Sequence, residues 1–322
     1  MSLGSTSTST RSLYVIGAIA VFLAVLMSAA KTVYVSSLVS HLNPAVLIVC
    51  TFIIAAGYFN IQAAITSRSL PDFISSWRDL LLLNVCSAVA WIAFYFALKF
   101  IAPTIVSCLI TGIGPLTALI MDRFIRNNRQ WSLIDIIVGS GILAVTVLLS
   151  LSSVSGTSNE SVAGIWTGLA LSIASGIGLT GVTIYSKKLY SNNWSSVQVA
   201  AHRFYLLIVL CFVYAVVFLS SAEITAWRSS IPAIMTIAVV GIIVPTLLIQ
   251  FGIKKCVPVT VSTVLAMGPV LTYIAQVVDG RSPMTTAASI AVSAITILVL
   301  LNTYNHVRRA PEIVKNPMES SR

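Results

Sequence analysis

The chain has 322 residues, of which 57% are hydrophobic and 9% are charged, and its mean hydropathy is +0.96. Soluble domains carry about a quarter of their residues as charges, so this composition excludes an ordinary soluble protein and indicates an integral membrane protein. The formal net charge of +10 does not indicate a nucleic-acid partner, because the cations are spread over the loops between apolar runs.

Apolar runs of about 20 residues, the length that crosses a bilayer, predict ten transmembrane helices. Five are predicted near residues 13–35, 44–65, 80–100, 102–121 and 133–151, and five near 163–185, 195–220, 231–251, 258–278 and 285–302. The predicted fold class is therefore an all-α integral membrane protein. We expect residues 1–10 to form a disordered tail, 11–151 a first five-helix repeat, 152–162 a linker, 163–307 a second five-helix repeat and 308–322 a cytoplasmic tail.

The distribution of basic residues predicts the orientation of the spans. Of the 19 Lys and Arg residues, fourteen fall on the side that holds the N-terminus, four fall on the other side, and Arg203 lies inside a span. Cytoplasmic loops carry an excess of Lys and Arg, so both termini are predicted to be cytoplasmic.

One sequence pattern occurs in both halves. Lys99, Pro103, Ser107 and the pair Gly114-Pro115 reappear about 155 residues later as Lys254, Pro258, Ser262 and Gly268-Pro269. A repeat with an odd number of spans must be inverted relative to its partner, an arrangement typical of alternating-access transporters. The paired Gly-Pro steps predict bent or broken helices beside a central site.

Small residues recur every four positions in the sixth predicted span. They predict close packing against another helix of the same chain, with a dimer contact as the alternative. The residues are Gly164, Gly168, Ser172 and Gly176.

Arg203 is the first candidate for a substrate-binding residue. It is predicted about eight residues inside the seventh span, where an arginine costs several kcal/mol unless it meets water, a partner or a substrate. The alternative is that its guanidinium reaches the lipid headgroups. The adjacent His202 points about 100° away around a helix, so a histidine hydrogen-bonded to a neighbour is its alternative.

Further candidates come from other spans. Lys31, near the end of the first span, either lines a cavity or reaches the membrane surface. Trp91 and Tyr95 share one face of the third span with Phe94, and this face forms either a substrate wall or apolar core. Gln250, like Asn84 and Gln276, is a candidate for hydrogen bonding in the cavity.

Acidic residues are predicted away from the span centres, which favours an anionic or zwitterionic substrate over a cationic one. The sequence carries no catalytic motif and no cysteine or histidine pattern of metal-ligand spacing. We therefore expect neither an enzyme nor a cofactor or metal site.

The chain resembles the EamA-type branch of the drug/metabolite transporter superfamily over nearly its whole length. The resemblance rests on Tyr95-Phe96-Ala97-Leu98-Lys99 followed by Pro103, on the proline positions Pro115, Pro258 and Pro269, and on Lys31 followed by Pro44. The family often has Gly-Glu where this chain has Asn127-Asn128 and Asp279-Gly280, and it often has arginine near Thr51. No substrate-site residue is therefore transferred from the family.

The resemblance implies two inverted five-helix repeats and a carrier of small metabolites. We expect an exporter in a bacterial inner membrane, as a monomer or homodimer, without a nucleic-acid partner. The alternatives are a nucleotide-sugar or triose-phosphate-type exchanger, and a membrane scaffold or sensor that transports nothing.

Overall fold

The computed structural model describes residues 5–66, 71–126, 159–255 and 264–280, with positions 137, 140–141, 144–145, 261, 289–290, 292–294, 296–298 and 301. These residues form helices, turns and short connections, and no strand occurs among them. The predicted span 133–151, the linker 152–162 and the tail 308–322 lie wholly or largely outside the described residues, as does half of the predicted span 285–302. Within the described part, the all-α prediction is confirmed.

The first half contains four described helices: α1 (Ser5–Leu38), α2 (Pro44–Thr66), α3 (Phe73–Phe100) and α4 (Pro103–Arg126). Helix α1 begins within the segment predicted to be a disordered tail. The second half contains α5 (Asn159–Ser191), α6 (Ser196–His202), α7 (Tyr205–Phe218), α8 (Ser221–Thr225), a 3₁₀ turn (Ala226–Ser230), α9 (Ile231–Thr236), a π-helix (Ile237–Ile243), α10 (Val244–Lys255) and α11 (Gly268–Asp279).

Six helical stretches of the described chain are long and apolar enough to cross a membrane, which supports a multi-pass membrane protein. They are Val15–Leu38, Pro44–Thr66, Phe73–Phe100, Val162–Ser191, Ser196–Phe218 and Ser221–Gly252. The last two join shorter helices end to end, so each contains an irregular point inside an otherwise apolar stretch.

Local sequence explains where several helices begin and end. Asp72 accepts hydrogen bonds from the backbone N–H groups of Ile74 and Ser75 and so caps the start of α3. Ser195 and Gln198 form a reciprocal capping box at the start of α6. Gly280 ends α11 with φ of 69°, a left-handed conformation that glycine adopts without strain.

The helices of the two halves pack against each other. Helix α1 lies against the π-helix, α10 and α11, while α5 lies against α3 and α4. Helix α2 packs on α6 and α7, and α4 packs on α11. One large core cluster joins residues of α1 to α5 with residues of α6, α7, α9 and the π-helix.

The small-residue stripe of α5 packs inside the chain, as predicted. A Cβ at Gly168 would lie 2.8 Å from Ile101, and one at Gly176 would lie 2.1 Å from Ile113. On another face of α5, a Cβ at Gly178 would lie 2.7 Å from the backbone nitrogen of Ala90. Glycine therefore lets α5 approach both α3 and α4 more closely than a larger residue allows.

The paired Gly-Pro steps have different structural outcomes. Helix α4 continues through Gly114 and Pro115 without interruption. Gly268 and Pro269 form the first turn of α11, directly after the turn at Ala266 and Met267. Proline lacks a backbone N–H, which is no loss in a first turn but removes a hydrogen bond in a helix interior.

Pro245 accounts for the π-helix. It cannot donate to the Gly241 carbonyl four residues earlier, so the regular α-helical hydrogen bonding fails at this point. The chain instead widens into π geometry over Ile237–Ile243, and the Val244 N–H donates to the Val239 carbonyl five residues back. Such π segments are frequent at functional sites.

Candidate functional site

The seventh predicted span is broken in its interior. Helix α6 ends at His202 and α7 begins at Tyr205, leaving Arg203 and Phe204 between them. The sequence predicts a span over 195–220, and the stretch Ser196–Phe218 is apolar and long enough to be one, but its helix is interrupted at the position of the arginine. We call Arg203 and Phe204 the helix break.

The side chain of Asn84, from α3, bridges the helix break. Its Nδ2 donates to the His202 carbonyl over 2.8 Å, and its Oδ1 accepts from the Leu206 backbone N–H over 3.3 Å. One amide is thus inserted into the single hydrogen bond that a continuous helix would make from the Leu206 N–H to the His202 carbonyl. Satisfying these groups matters because an unpaired buried backbone group costs about 1–3 kcal/mol.

A second asparagine supports the break from α2. The Asn60 Nδ2 donates to the Ala201 carbonyl over 3.2 Å, and its Oδ1 accepts from the Tyr205 hydroxyl over 2.7 Å. The Tyr205 hydroxyl also lies 2.8 Å from the His202 Nδ1. Two helices of the first half therefore hold the broken span of the second half.

Arg203 lies in the break with part of its charged group unsatisfied. Its Nε is buried and has no hydrogen-bond partner among the described residues. The guanidinium carbon lies 4.6 Å from the centre of the Phe204 ring, a cation–π contact. Tyr190, near the end of α5, interacts electrostatically with the guanidinium. No described carboxylate forms an ion pair with Arg203.

A series of aromatic rings leads inward from Phe204. The Phe204 ring lies 4.9 Å from Phe52, and Phe52 lies 5.1 Å from Trp91. Tyr95 also contacts Phe52, at 6.2 Å between ring centres. Phe52, Tyr95 and Phe204 are completely buried. We call Trp91, Phe52 and Phe204 the aromatic ladder.

Lys31 occupies the other end of the aromatic ladder. Its ammonium lies 4.8 Å from the Trp91 ring centre and 5.1 Å from that of Phe94. The side chain is 9% exposed, and no described carboxylate forms an ion pair with it. A cation thus lies on an aromatic face at each end of the ladder.

The stem of Lys31 fits against the π-helix only because residue 241 is glycine. A Cβ at Gly241 would lie 2.6 Å from the lysine Cγ and 2.8 Å from its Cδ.

A cavity of about 270 Å³ lies beside Lys31, between α1 and the α9 and π-helical segment. Lys31 is the charged residue among those that line it, and its neighbours there are mainly apolar. They are Leu26, Met27, Ala30, Tyr34, Thr236, Ile237, Val240 and Gly241.

Helix α3 shows that the two cations lie at different depths. Its Phe73 end contacts the junction of α5 and α6, since Phe73 stacks on Trp194 at 5.2 Å and Ser76 accepts from the Trp194 indole. Its Phe100 end lies beside the end of α1, where Ser36 donates to the Leu98 carbonyl. Asn84, at the level of the helix break, precedes Trp91 by seven residues, which is about 10 Å along the helix axis.

The structure brings together some predicted site residues and separates others. Lys31, Trp91, Tyr95 and Arg203 all lie on or beside the aromatic ladder. The His202 ring instead contacts Phe73, Trp194 and Tyr205.

The three predicted amides bind to backbone groups. Asn84 bridges the helix break, and the Gln250 Nε2 lies 3.4 Å from the Ser196 carbonyl. The Gln276 Oε1 accepts from the Thr104 hydroxyl over 2.7 Å and from the Thr104 backbone N–H over 3.2 Å, at the start of α4.

Sequence reasoning did not identify Phe52, Phe204, Asn60 or Gly241 as parts of this site. A buried phenylalanine or a glycine in an apolar span has no distinguishing local signal. Asn60, a polar residue inside an apolar run, was the available signal, because such residues must find a partner in the bundle.

No family model and no curated protein matches the chain. A crystal structure described only as that of a protein is similar to it, with a TM-score of 0.58 and 19% sequence identity. The match covers 93% of this chain and 99% of that one. At this identity the similarity concerns the fold alone.

Proposed function

We propose that the chain is a secondary transporter of the EamA type, within the drug/metabolite transporter superfamily. It carries a small anionic or zwitterionic metabolite across the bacterial inner membrane by alternating access, with both termini cytoplasmic and export as its direction. Its ten spans form two inverted five-helix repeats, and Arg203, Lys31, Trp91 and Tyr95 contribute to the substrate site.

The observation that carries this proposal is the helix break at Arg203 and Phe204. Irregular backbone at membrane depth is tolerated where protein or a water-filled cavity satisfies its polar groups, and discontinuous helices surround the substrate sites of many transporters. Here the break is held by Asn84 and Asn60 and carries a cation without a described carboxylate partner. An anionic group of a substrate supplies the missing partner.

The helix packing supports the inverted repeat. In the predicted span order, the first span packs on the eighth and ninth, and the sixth packs on the third and fourth. A five-plus-five repeat makes the first span equivalent to the sixth, the third to the eighth and the fourth to the ninth. The two sets of contacts are therefore equivalent to each other. The second span packs on the seventh and the fourth on the ninth, pairs that exchange of the two halves leaves unchanged.

Flux in proteoliposomes tests the proposal. We expect the purified chain to accumulate at least one radiolabelled member of a panel of amino acids and small carboxylates. Arg203→Gln should lose most of this flux, whereas Arg203→Lys should retain more of it because the positive charge is kept. Equal thermal unfolding of the variants in detergent controls for folding.

The same assay separates the alternative functions. Exchange that requires a phosphorylated sugar on both sides of the membrane would favour a nucleotide-sugar or triose-phosphate-type exchanger. Absence of flux across the whole panel, with folded protein, would contradict a carrier of this class and favour a scaffold or sensor.

A further inference from the structure

We infer that Lys31 and Arg203 are two separate anion-binding stations on opposite sides of a closed barrier, and that Phe52 is the centre of this barrier. This inference rests on the proposed transport function and adds the path of the substrate to it. The ligand is a small carboxylate with a flat apolar body, held by one cation on each side of the barrier in turn.

The first support is the position of the two cations relative to the ladder. The Lys31 ammonium lies on Trp91 and the Arg203 guanidinium lies on Phe204, so the rings of the ladder separate them. Phe52 contacts both Trp91 and Phe204 and is completely buried. Phe52 and Phe204 have no exposed surface, so these two packed rings leave no room for an ion to pass in this conformation.

The second support is that each cation lies nearer to a different membrane surface. Arg203 follows α6, which starts beside the Phe73 end of α3, and the guanidinium lies near Tyr190 at the end of α5. Lys31 lies seven residues before the end of α1, and its ammonium contacts Trp91 and Phe94, which are nearer the Phe100 end of α3 than the Phe73 end. Because α3 has 28 residues, these ends lie about 40 Å apart, on opposite sides of a bilayer.

The third support concerns the chemistry of the ligand. Neither cation has a described carboxylate partner, and two buried hydroxyls of α3 also lack regular hydrogen bonds. The Ser87 Oγ has no hydrogen-bond partner among the described residues. The Tyr95 hydroxyl lies near the Thr51 hydroxyl but forms no regular hydrogen bond with it. Cations and hydroxyl donors bind an anion, and the partly exposed Trp91 ring beneath Lys31 favours an apolar body next to the charge.

Cysteine accessibility tests the two-station arrangement without knowledge of the substrate. All five native cysteines, Cys50, Cys86, Cys108, Cys211 and Cys256, are first replaced by alanine. Lys31→Cys and Arg203→Cys are then introduced singly into the full-length chain in oriented membrane vesicles. Sulfonatoethyl methanethiosulfonate, an anion that does not cross membranes, is added from one side at a time.

We expect the cysteine at 31 to react about tenfold faster from the side of the Phe100 end, and the cysteine at 203 about tenfold faster from the side of the Phe73 end. The reason is that a closed apolar barrier excludes an anion. Three outcomes would overturn the inference. They are reaction of both positions from the same side, reaction of either position equally from both sides, and no reaction at either position. Labelling after denaturation verifies that each cysteine is present.

Phe52→Ala tests the barrier itself. We expect it to make both cysteines reactive from both sides, since removal of the ring opens the ladder. Phe59→Ala is the matched control, because Phe59 is a completely buried phenylalanine of the same helix and core whose ring makes no aromatic contact with the ladder in the described structure. Unchanged sidedness in Phe52→Ala, or the same loss of sidedness in Phe59→Ala, would contradict the role of Phe52.

The outcome is independent of the flux assay. Flux together with labelling of both positions from the same side would overturn the two stations and leave the transporter proposal intact. Labelling of the two positions from opposite sides, without flux of any tested solute, would contradict the transporter proposal alone.

Discussion

The Asn84 side chain of α3 donates a hydrogen bond to the carbonyl of His202, 118 residues further along the chain. The same side chain accepts from the Leu206 N–H, so a residue of the first half completes the backbone hydrogen bonding of a broken helix in the second half. The conformation of the helix break therefore depends on the contact between the halves.

Replacing Asn84 by leucine should destabilise the protein. The change leaves the His202 carbonyl and the Leu206 N–H without their partner, at about 1–3 kcal/mol for each buried group. The measurement is the thermal unfolding midpoint in detergent. Asn192→Leu is the control, because the Asn192 side chain bonds only to Ser76 in the described structure, at the helix ends. Equal unfolding midpoints for Asn84→Leu and the wild type would contradict the bridging role.

Replacing Gly241 by alanine should also destabilise the protein, by about 1–3 kcal/mol for overpacking. The added methyl group would lie 2.6 Å from the Lys31 Cγ, so the lysine must leave the face of Trp91. Gly57→Ala is a suitable control, because no other atom lies within 4 Å of a Cβ built there.

A double-mutant cycle checks the cause of this effect. Lys31→Ala combined with Gly241→Ala should recover most of the stability lost in Gly241→Ala, because the clash is removed. Additive effects of the two substitutions on the unfolding free energy would show that the two side chains do not compete for the same space.

Replacing Gly178 by alanine should have a larger effect than replacing Gly164. A Cβ at Gly178 would lie 2.7 Å from the Ala90 nitrogen and 2.8 Å from the Cys86 carbonyl oxygen, and backbone atoms cannot move aside as a side chain can. A Cβ at Gly164 meets Phe100 at 3.4 Å. Unfolding in detergent should therefore show a loss of about 1–3 kcal/mol for Gly178→Ala and less for Gly164→Ala. A reversed order would contradict the close approach of α5 to α3.

The cap of α3 should make stability depend on pH on the acid side. The hydrogen bonds from Ser75 and Ile74 hold the pKa of the Asp72 carboxyl below its ordinary value. The folded-state pKa is lowered, so the stabilisation is complete above the unfolded-state pKa of about 4 and is lost as the pH falls through the folded-state value.

Asp72→Ala should therefore unfold at a lower temperature than the wild type at pH 7, and this difference should shrink as the pH falls below about 4. The measurement is the thermal unfolding curve of both proteins at a series of pH values from 7 down to below about 4. A difference that stays constant over this range would show that the carboxylate charge contributes nothing to the cap.

The helices could be predicted from the sequence, whereas the helix break could not. Long apolar runs determine where the spans lie, and Pro44, Asp72 and Pro103 mark helix starts that can be read locally. Residues 199–206 contain neither glycine nor proline, so nothing local predicts an interruption at Arg203. The groups that stabilise it, Asn60 and Asn84, lie more than a hundred residues away.

The candidate site was predictable only where its residues have a local signal in the sequence. Lys31 and Arg203 attract notice because charges are rare in spans, and Trp91 and Tyr95 because they share a helix face. Their connection through Phe52 depends on the packing of α2 between α3 and the broken span, which is a tertiary feature. The effect of Pro245 was predictable as a distortion, but its π geometry and its relation to Lys31 depend on the neighbouring helix.

The fit of the Lys31 stem over Gly241 has a consequence for the evolution of this fold. A lineage that exchanges the lysine for a small residue frees position 241 to accept a side chain, whereas a lineage that keeps the lysine keeps the glycine. Positions 31 and 241 should therefore change together among descendants of this protein, and such paired changes would identify members that have abandoned this cation.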